Sequence, residues 1–408
     1  MSDHKAVSRR DFLRVAGRYG LSSTAFAAAG MLGPFTVGDL GRAAAQTAQQ
    51  RAGAAQVTLK FGAAGFNEKN LQIQRSGQLW FSQELEKRSN GAIKVEFIGN
   101  NQICNQLDCV KKAQQGIVDL YTSSTQNAAG SAPYLNVLDY AYMFPSRAAQ
   151  QHFFYHPKSE QLLREPLRRL HNVHFLYTHC ELRGIMLGSK YKDKPNITSI
   201  SQLAGTKNRV TGTQLGRIAM QLMQLNPVPI AWEETLDGLK QGLIDGAETW
   251  MAAVAYAGMT PVLSQAIDLQ FFCGTEHTAM NWDSFKKLPA TLQDIVMETS
   301  YSAQQYAQKE NEDALINVVG ATNPPKPGTM FAQNGVRFVS FSPEELRKAE
   351  QMCSPEFQPK PWEEWRERIN KWCGGGVDTY KEIHTIAREI PRNTAAVDAK
   401  PRKWWLKA

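Results

Sequence analysis

The stretch from Arg183 to Trp250 gathers side chains able to hold a small anion. Arg209, in Asn208-Arg209-Val210, carries a planar guanidinium fork. Such a fork meets a carboxylate with two parallel hydrogen bonds and stays charged under any cellular condition. Its plainer role is to pair with an acidic residue such as Glu248. Arg183, in Glu181-Leu182-Arg183-Gly184, is a second cation whose plainer role is a hinge salt bridge. Trp232 follows the stiff run Pro227-Val228-Pro229-Ile230-Ala231, and its flat face suits either the apolar side of a bound acid or a core.

Catalytic arrays are thin by comparison. His152 and His156 stand at i, i+4 with Glu160 one turn further, a spacing that can hold a metal on one helix face. No HExxH, GxSxG, GxGxxG or P-loop lysine accompanies them. An exported metal- or cofactor-dependent enzyme is therefore the alternative to a binding protein. The six cysteines leave several pairings open. Cys104 and Cys109 can close a short loop, and Cys353 and Cys373 can tie the C-terminal region. Cys180 and Cys273 remain as a pair or as buried thiols.

The elements that must position these groups alternate between strand and helix. Val57-Thr58-Leu59-Lys60-Phe61 and Ile93-Lys94-Val95-Glu96-Phe97 alternate as strands, and 71–89 has helical spacing up to Asn90-Gly91. Val110 to Gly116 reads as a helix end with its glycine cap, feeding a strand over Ile117-Val118-Asp119-Leu120. The pattern returns later: the segment QQGIVD at 114–119 is echoed by KQGLIDG at 240–246. Two α/β lobes follow, with βαβ units on largely parallel sheets and a ligand cleft at the strand ends. Phe66-Asn67-Glu68 and Ser123-Ser124-Thr125 lie at such strand ends and are candidate contacts by position. The three tryptophans Trp362, Trp365 and Trp372 predict a packing helix, and Gly374-Gly375-Gly376 precedes another reaching about Ile390.

At the N-terminus, Ser8-Arg9-Arg10-Asp11-Phe12-Leu13-Arg14 precedes a weakly apolar stretch and the small-residue site Ala43-Ala44-Ala45. This is the pattern of a twin-arginine signal over 1–45 and predicts a periplasmic mature protein. Removing it, with its six Lys/Arg and three Asp/Glu, lowers the formal charge from +8 to +5. No dense basic run supports nucleic-acid binding, whereas a mild positive field favours an anionic ligand. The expected division is lobe I at 56–181 plus 270–312, lobe II with the C-terminal helices at 182–269 plus 313–390, and a tail at 391–408.

Four stretches resemble the periplasmic substrate-binding proteins of TRAP (tripartite ATP-independent periplasmic) transporters. They are NGAIKVEFI with the downstream QQGIVDL over 90–120, GTKNRVTGT at 205–213, NPVPIAWEETLDGLKQGLIDGAE at 226–248, and TEHTAMNWDSFKKLPATLQDIV at 275–296. The resemblance implies a two-lobed periplasmic solute-binding fold, with a hinge, an interlobe cleft and C-terminal helices packed across the lobes. It implies Arg209 as the ligand anchor, Arg183 as a second basic residue near the cleft, and no required cofactor. Small and large membrane subunits are the implied partners of the closed, ligand-bound form, which is a monomer or a homodimer.

One departure bears on the ligand. Many such proteins carry Gln-Glu-Asn-Pro after the Asp-Gly, and their Asn reaches the ligand. This chain has Ala247-Glu248-Thr249-Trp250. The Ala-Glu form resembles a branch associated with 2-oxo acids and related monocarboxylates, in which the Glu helps hold a cation bridging the ligand. Glu248 with Glu276 is accordingly a candidate cation site, and Thr249 and Trp250 are candidate pocket residues. The ligand implied is an oxo or other monocarboxylate rather than a dicarboxylate.

Overall fold

A computed structural model describes residues 56–406 of the 408-residue chain. The twin-arginine segment and its cleavage site lie outside the described residues. Among the described residues nine strands form one sheet: β1 (Val57–Gly62), β2 (Ile93–Ile98), β3 (Leu120–Ser124), β4 (Val173–Gly188), β5 (Lys207–Val210), β6 (Asn226–Pro229), β7 (Gly246–Thr249), β8 (Leu263–Asn281) and β9 (Arg337–Ser340). Their order is β2-β1-β3-β8-β4-β7-β5-β6, with β9 paired to β8.

That order is nearly a palindrome. β1 pairs in parallel with β2 and β3, and β5 pairs in parallel with β6 and β7. Between these trios run the long strands β4 and β8, antiparallel to one another and shared by both halves. The expectation of largely parallel sheets therefore holds only for the outer trios. A chain that crosses between halves and returns must lay its two crossings antiparallel. Register shifts at Phe175/Tyr177, Arg183/Ile185 and Leu187/Gly188 bend this pair, one of them beside Arg183.

The echoed sequence segments build the same local structure twice. Gly116 and Gly242 both end a helix at φ +71°, a conformation that favours a residue without Cβ. Asp119 then exchanges two hydrogen bonds with Lys60 at 2.9 Å each, backbone N–H to carbonyl and carboxylate from backbone N–H. Asp245 does the same with Lys207, at 2.7 and 2.9 Å. Because each aspartate is used this way, β3 starts at Leu120 and β7 at Gly246, later than the alternation predicted. The helix predicted over 71–89 is two, Glu68–Gln74 and Gln78–Arg88. Arg75 breaks it in a left-handed conformation (φ 51°), with its guanidinium on Asp313.

One apolar core runs through both halves, joining Leu135, Phe153 and Phe175 to Ile185, Val210 and Leu215, and on to Ile383 and Ile386. The C-terminal helices help close it. Trp362 is fully buried and donates to the Cys353 carbonyl at 3.0 Å, ahead of the helix Glu363–Trp372. The last helix ends at Ala387, short of Ile390, and Arg388 donates to the Met143 carbonyl at 2.8 Å. Trp404 in the tail is buried beside Tyr155 and Tyr301, under the Arg164 guanidinium. Among the described residues no helix is long and apolar enough to cross a membrane.

Candidate functional site

Arg209 lies near the end of β5, opposite Val228 of β6 and Ala247 of β7. β6 is an edge strand, so Pro227 and Pro229 cost it no ladder bond. They deliver Ile230, whose carbonyl accepts from Arg209 Nε at 3.1 Å, and then Trp232, whose ring lies 5.3 Å from the guanidinium. Arg209 is 1% exposed, and among the described residues no carboxylate lies within ion-pair distance of it. Its remaining contact is a long one, 3.5 Å, to the Glu248 carbonyl. Burial lowers its pKa to about 10, which still leaves it charged near neutrality.

The glutamate pairs with the other arginine. Arg183 Nη1 donates to both Glu248 carboxylate oxygens, at 2.9 and 2.8 Å, and the Arg183 guanidinium sits 4.6 Å from the centre of the Trp250 ring. Arg183 thus forms a buried ion pair, while Arg209 does not. Gly274 makes room for this stack. A Cβ there would overlap the Glu181 carbonyl oxygen and come within 2.8 Å of Trp250 Cε3.

Arg183, Arg209, Trp232, Thr249, Trp250 and Glu276 converge on one small pocket. Ser124, a candidate by position, lines it too, and sequence reasoning missed four further residues, Gln106, Asn127, Ala253 and Tyr256. Ala253 and Tyr256 repeat Trp250 at intervals of three on the helix Met251–Tyr256, a spacing that was readable. Ser124, at the end of β3, accepts from Asn127 N–H at 3.2 Å, and both line the opposite wall. Gln106 comes from the loop closed by the Cys104–Cys109 disulfide. It accepts from Ser124 N–H at 2.8 Å and donates to Glu276 Oε1 at 3.2 Å. Glu276 also accepts from Thr122 at 3.3 Å, and burial pushes its carboxyl up to about 8.

Several predicted residues lie elsewhere. Phe66 packs behind the pocket on Tyr256, ring centres 5.2 Å apart. Asn67 caps the helix Glu68–Gln74 and donates to Asn100 at 2.7 Å, and Glu68 is exposed on that helix. Thr125 is fully buried as the first residue of the helix Thr125–Ala128. Glu248 is committed to Arg183. A cation held by Glu248 and Glu276 does not fit this arrangement, because a guanidinium already occupies both Glu248 oxygens.

The enzyme-type arrays do not assemble. His152 bonds Glu389 at 2.7 Å, and Glu160 pairs with Arg168. Among the described residues the three potential metal ligands that lie together are Cys104, Asp108 and Cys109, two of them tied in the disulfide. Cys180, Cys273, Cys353 and Cys373 are free thiols, so neither of the other suggested pairings forms.

The family described as bacterial extracellular solute-binding protein, family 7, matches residues 65–360. A solute-binding protein of Roseobacter denitrificans is 24% identical over 266 residues, covering 64% of this chain and 78% of its own. A TRAP periplasmic solute-binding protein from a Polaromonas species, bound to D-erythronate, superposes with a TM-score of 0.64 at 18% identity, over 79% of this chain and 99% of its own. One from Shewanella oneidensis with bound succinate gives 0.65 at 16% identity, over 81% and 99%.

Proposed function

The chain belongs to family 7 of the bacterial extracellular solute-binding proteins, the periplasmic binding subunits of TRAP transporters, and on that premise we propose that it captures a small organic monocarboxylate and delivers it to a membrane permease. The observation that carries this reading is Arg209: a buried cation on the pocket wall, stacked on Trp232, with no carboxylate partner among the described residues. Burying an unpaired charge is costly, so the site calls for an anion. Arg183 is already neutralised by Glu248, which leaves one net positive charge for the ligand. One charge favours a monocarboxylate over a dicarboxylate, whatever the solved relatives bind.

Binding works by closure. The carboxylate meets Arg209 from the β5 half, and the ligand's other end meets Gln106, Ser124, Asn127 and Glu276 from the β3 half. Only the closed arrangement satisfies both sets, so ligand selects it. We take the lobes to part where β4 and β8 bend, near Arg183–Ile185 and Ile267–Phe272. The closed form then docks on the small and large membrane subunits. Export by the twin-arginine route is supported by Arg9-Arg10 and the small-residue site at 43–45. The role proposed is binding, in keeping with the family.

Calorimetry with mono-, di-, oxo- and aromatic acids, with and without divalent cations, tests the reading. A monocarboxylate should bind with no cation requirement, and Arg209→Ala should weaken it by about 100-fold or more, the loss of two charge-assisted bonds. Unchanged binding by Arg209→Ala would sink the anchor.

A further inference from the structure

A second cavity, of about 440 Å³, shares no lining residue with the acid pocket. That volume lies in the range of small-molecule sites, about 300–1,000 Å³. The cavity opens where β4 and β8 shift register. Glu181 and Leu182 come from β4, Asp268 and Gln270 from β8, Glu312 from the helix Ala290–Ala314, and Arg392 from the chain beyond the last helix.

Its charges are of both signs and do not cancel one another. Arg147 is engaged, donating from Nε to the Cys180 carbonyl at 3.1 Å and from Nη2 to Asn311 Oδ1 at 2.8 Å. Glu181 is engaged too, accepting from Met251 N–H at 2.6 Å. Three groups remain. Arg392 has no ion pair among the described residues and one long contact to another side chain, 3.5 Å to Gln270 Oε1. The same amide donates from Nε2 to Asp268 at 2.8 Å, so Gln270 stands between a cation and an anion and keeps them apart. Glu312 Oε2 is buried without a partner, and its Oε1 comes no nearer than 3.9 Å to Arg147 Nη1. Leu182, Met251, Leu315 and Phe338 give the cavity an apolar wall.

We propose that this cavity is a second binding site, for a free α-amino acid with an apolar side chain. The carboxylate would sit on Arg392, the ammonium on Asp268 and Glu312, and the side chain against Leu182, Met251, Leu315 and Phe338. An α-amino acid carries its two charges on one carbon, which suits a cation and an anion spaced by a single amide. A plain acid would leave the two carboxylates without a counter-ion, and a plain amine would leave Arg392 without one. Burial raises the Asp268 carboxyl, and an ammonium beside it favours the charged form. A bare metal ion is a poorer match, because among the described residues these carboxylates do not close into a metal-ligating group. Removing an aliphatic or aromatic side chain from water adds to the charge-assisted bonds. The site is independent of the Arg209 anchor.

Calorimetry on the whole protein with alanine, valine, leucine and phenylalanine tests this. The best-fitting amino acid should bind about tenfold or more tightly than both its deaminated acid and its decarboxylated amine. For leucine these are 4-methylpentanoate and 3-methylbutylamine. Arg392→Ala, at an exposed position, and Glu312→Gln should each weaken the amino acid at least fivefold. Arg209→Ala should leave its affinity within twofold, since the two cavities have no residue in common. Four amino acids that all fail to bind, an acid or amine that binds as well as its parent, or an Arg392→Ala protein with wild-type affinity would each overturn the proposal. Loss of binding in Arg209→Ala would put the amino acid in the acid pocket and overturn it as well.

Discussion

Arg183 Nη1 lies 2.9 and 2.8 Å from the two carboxylate oxygens of Glu248, and neither side chain is more than 2% exposed. The pair neutralises one of the two cations on the pocket wall. Removing the acid in Glu248→Gln leaves Arg183 buried without a counter-ion. The expected cost is about 3–5 kcal/mol of stability, visible as a lowered Tm. The same change leaves two free guanidinium groups in one pocket. The affinity ratio of dicarboxylate to monocarboxylate should therefore rise at least tenfold, measured by calorimetry with succinate and butyrate. An unchanged ratio would show that Arg183 does not face the ligand.

Local pattern and tertiary register divide the legible from the illegible here. Strands β1 and β2 stand out in the sequence because one face is buried and residues alternate. The QQGIVD and KQGLIDG echo announced two halves, and the structure repeats its glycine and aspartate geometry in both. Which arginine takes Glu248 was not legible. It depends on β4 pairing with β7, where Gly184 lies opposite Thr249, a contact between residues 65 apart. Gln106 and Glu276 were equally hidden from each other, 170 residues apart and joined only by folding. Asn67 misled because a polar residue after a strand serves a helix cap as readily as a ligand.

Stability should fall as pH rises from about 6.5 to 8.5. Burial pushes Glu276 to about 8 and Glu181 to about 7, from 4.5 in the unfolded chain, and it also raises Asp139 and Asp268. In this window the native state keeps protons that the unfolded state has released, so stability decreases with pH. The buried histidines act below it: His171, His277 and His384 are lowered to about 4 and His179 to about 3. Half of their unfolded-state protons are still bound at 6.5, so their contribution is complete only about one unit above it. It is common to the wild type and the Glu276→Gln variant and cancels in their comparison. Chemical denaturation across the window should show a loss of about 2 kcal/mol from Glu276 alone, absent in Glu276→Gln. An identical slope in the variant would place that proton elsewhere.

The Cys104–Cys109 disulfide should matter more for the ligand than for the fold. Its loop is short, so loop entropy gives about 2 kcal/mol in a core this large. What the loop carries is Gln106, which links Ser124 N–H to Glu276 Oε1. Cys104→Ser/Cys109→Ser should fold and show a modest Tm decrease. Its affinity for the acid ligand should drop several-fold, since Gln106 no longer holds Glu276 and Ser124 in place. A double variant with wild-type affinity would assign the disulfide to stability alone.

Closure can be separated from ligand chemistry at Thr211. Its Oγ1 donates to Gln126 Oε1 at 3.2 Å, joining the residue just past β5 to the short helix Thr125–Ala128 beyond β3. Both are buried, and neither lines the pocket. In the proposed closure the bond forms only when the two halves are together, so it would bias the open–closed equilibrium without reading the ligand. Thr211→Val keeps the side-chain shape and leaves the Gln126 oxygen bare, a change of about 1–2 kcal/mol against the closed state. Affinity for every acid should fall by a common factor of roughly 5–30, with the rank order of ligands preserved. X-ray scattering should show a larger radius of gyration at a given ligand saturation below one. A reordered ligand series would mean that Thr211 touches the ligand instead, and an unchanged affinity would mean that closure does not pass through this contact.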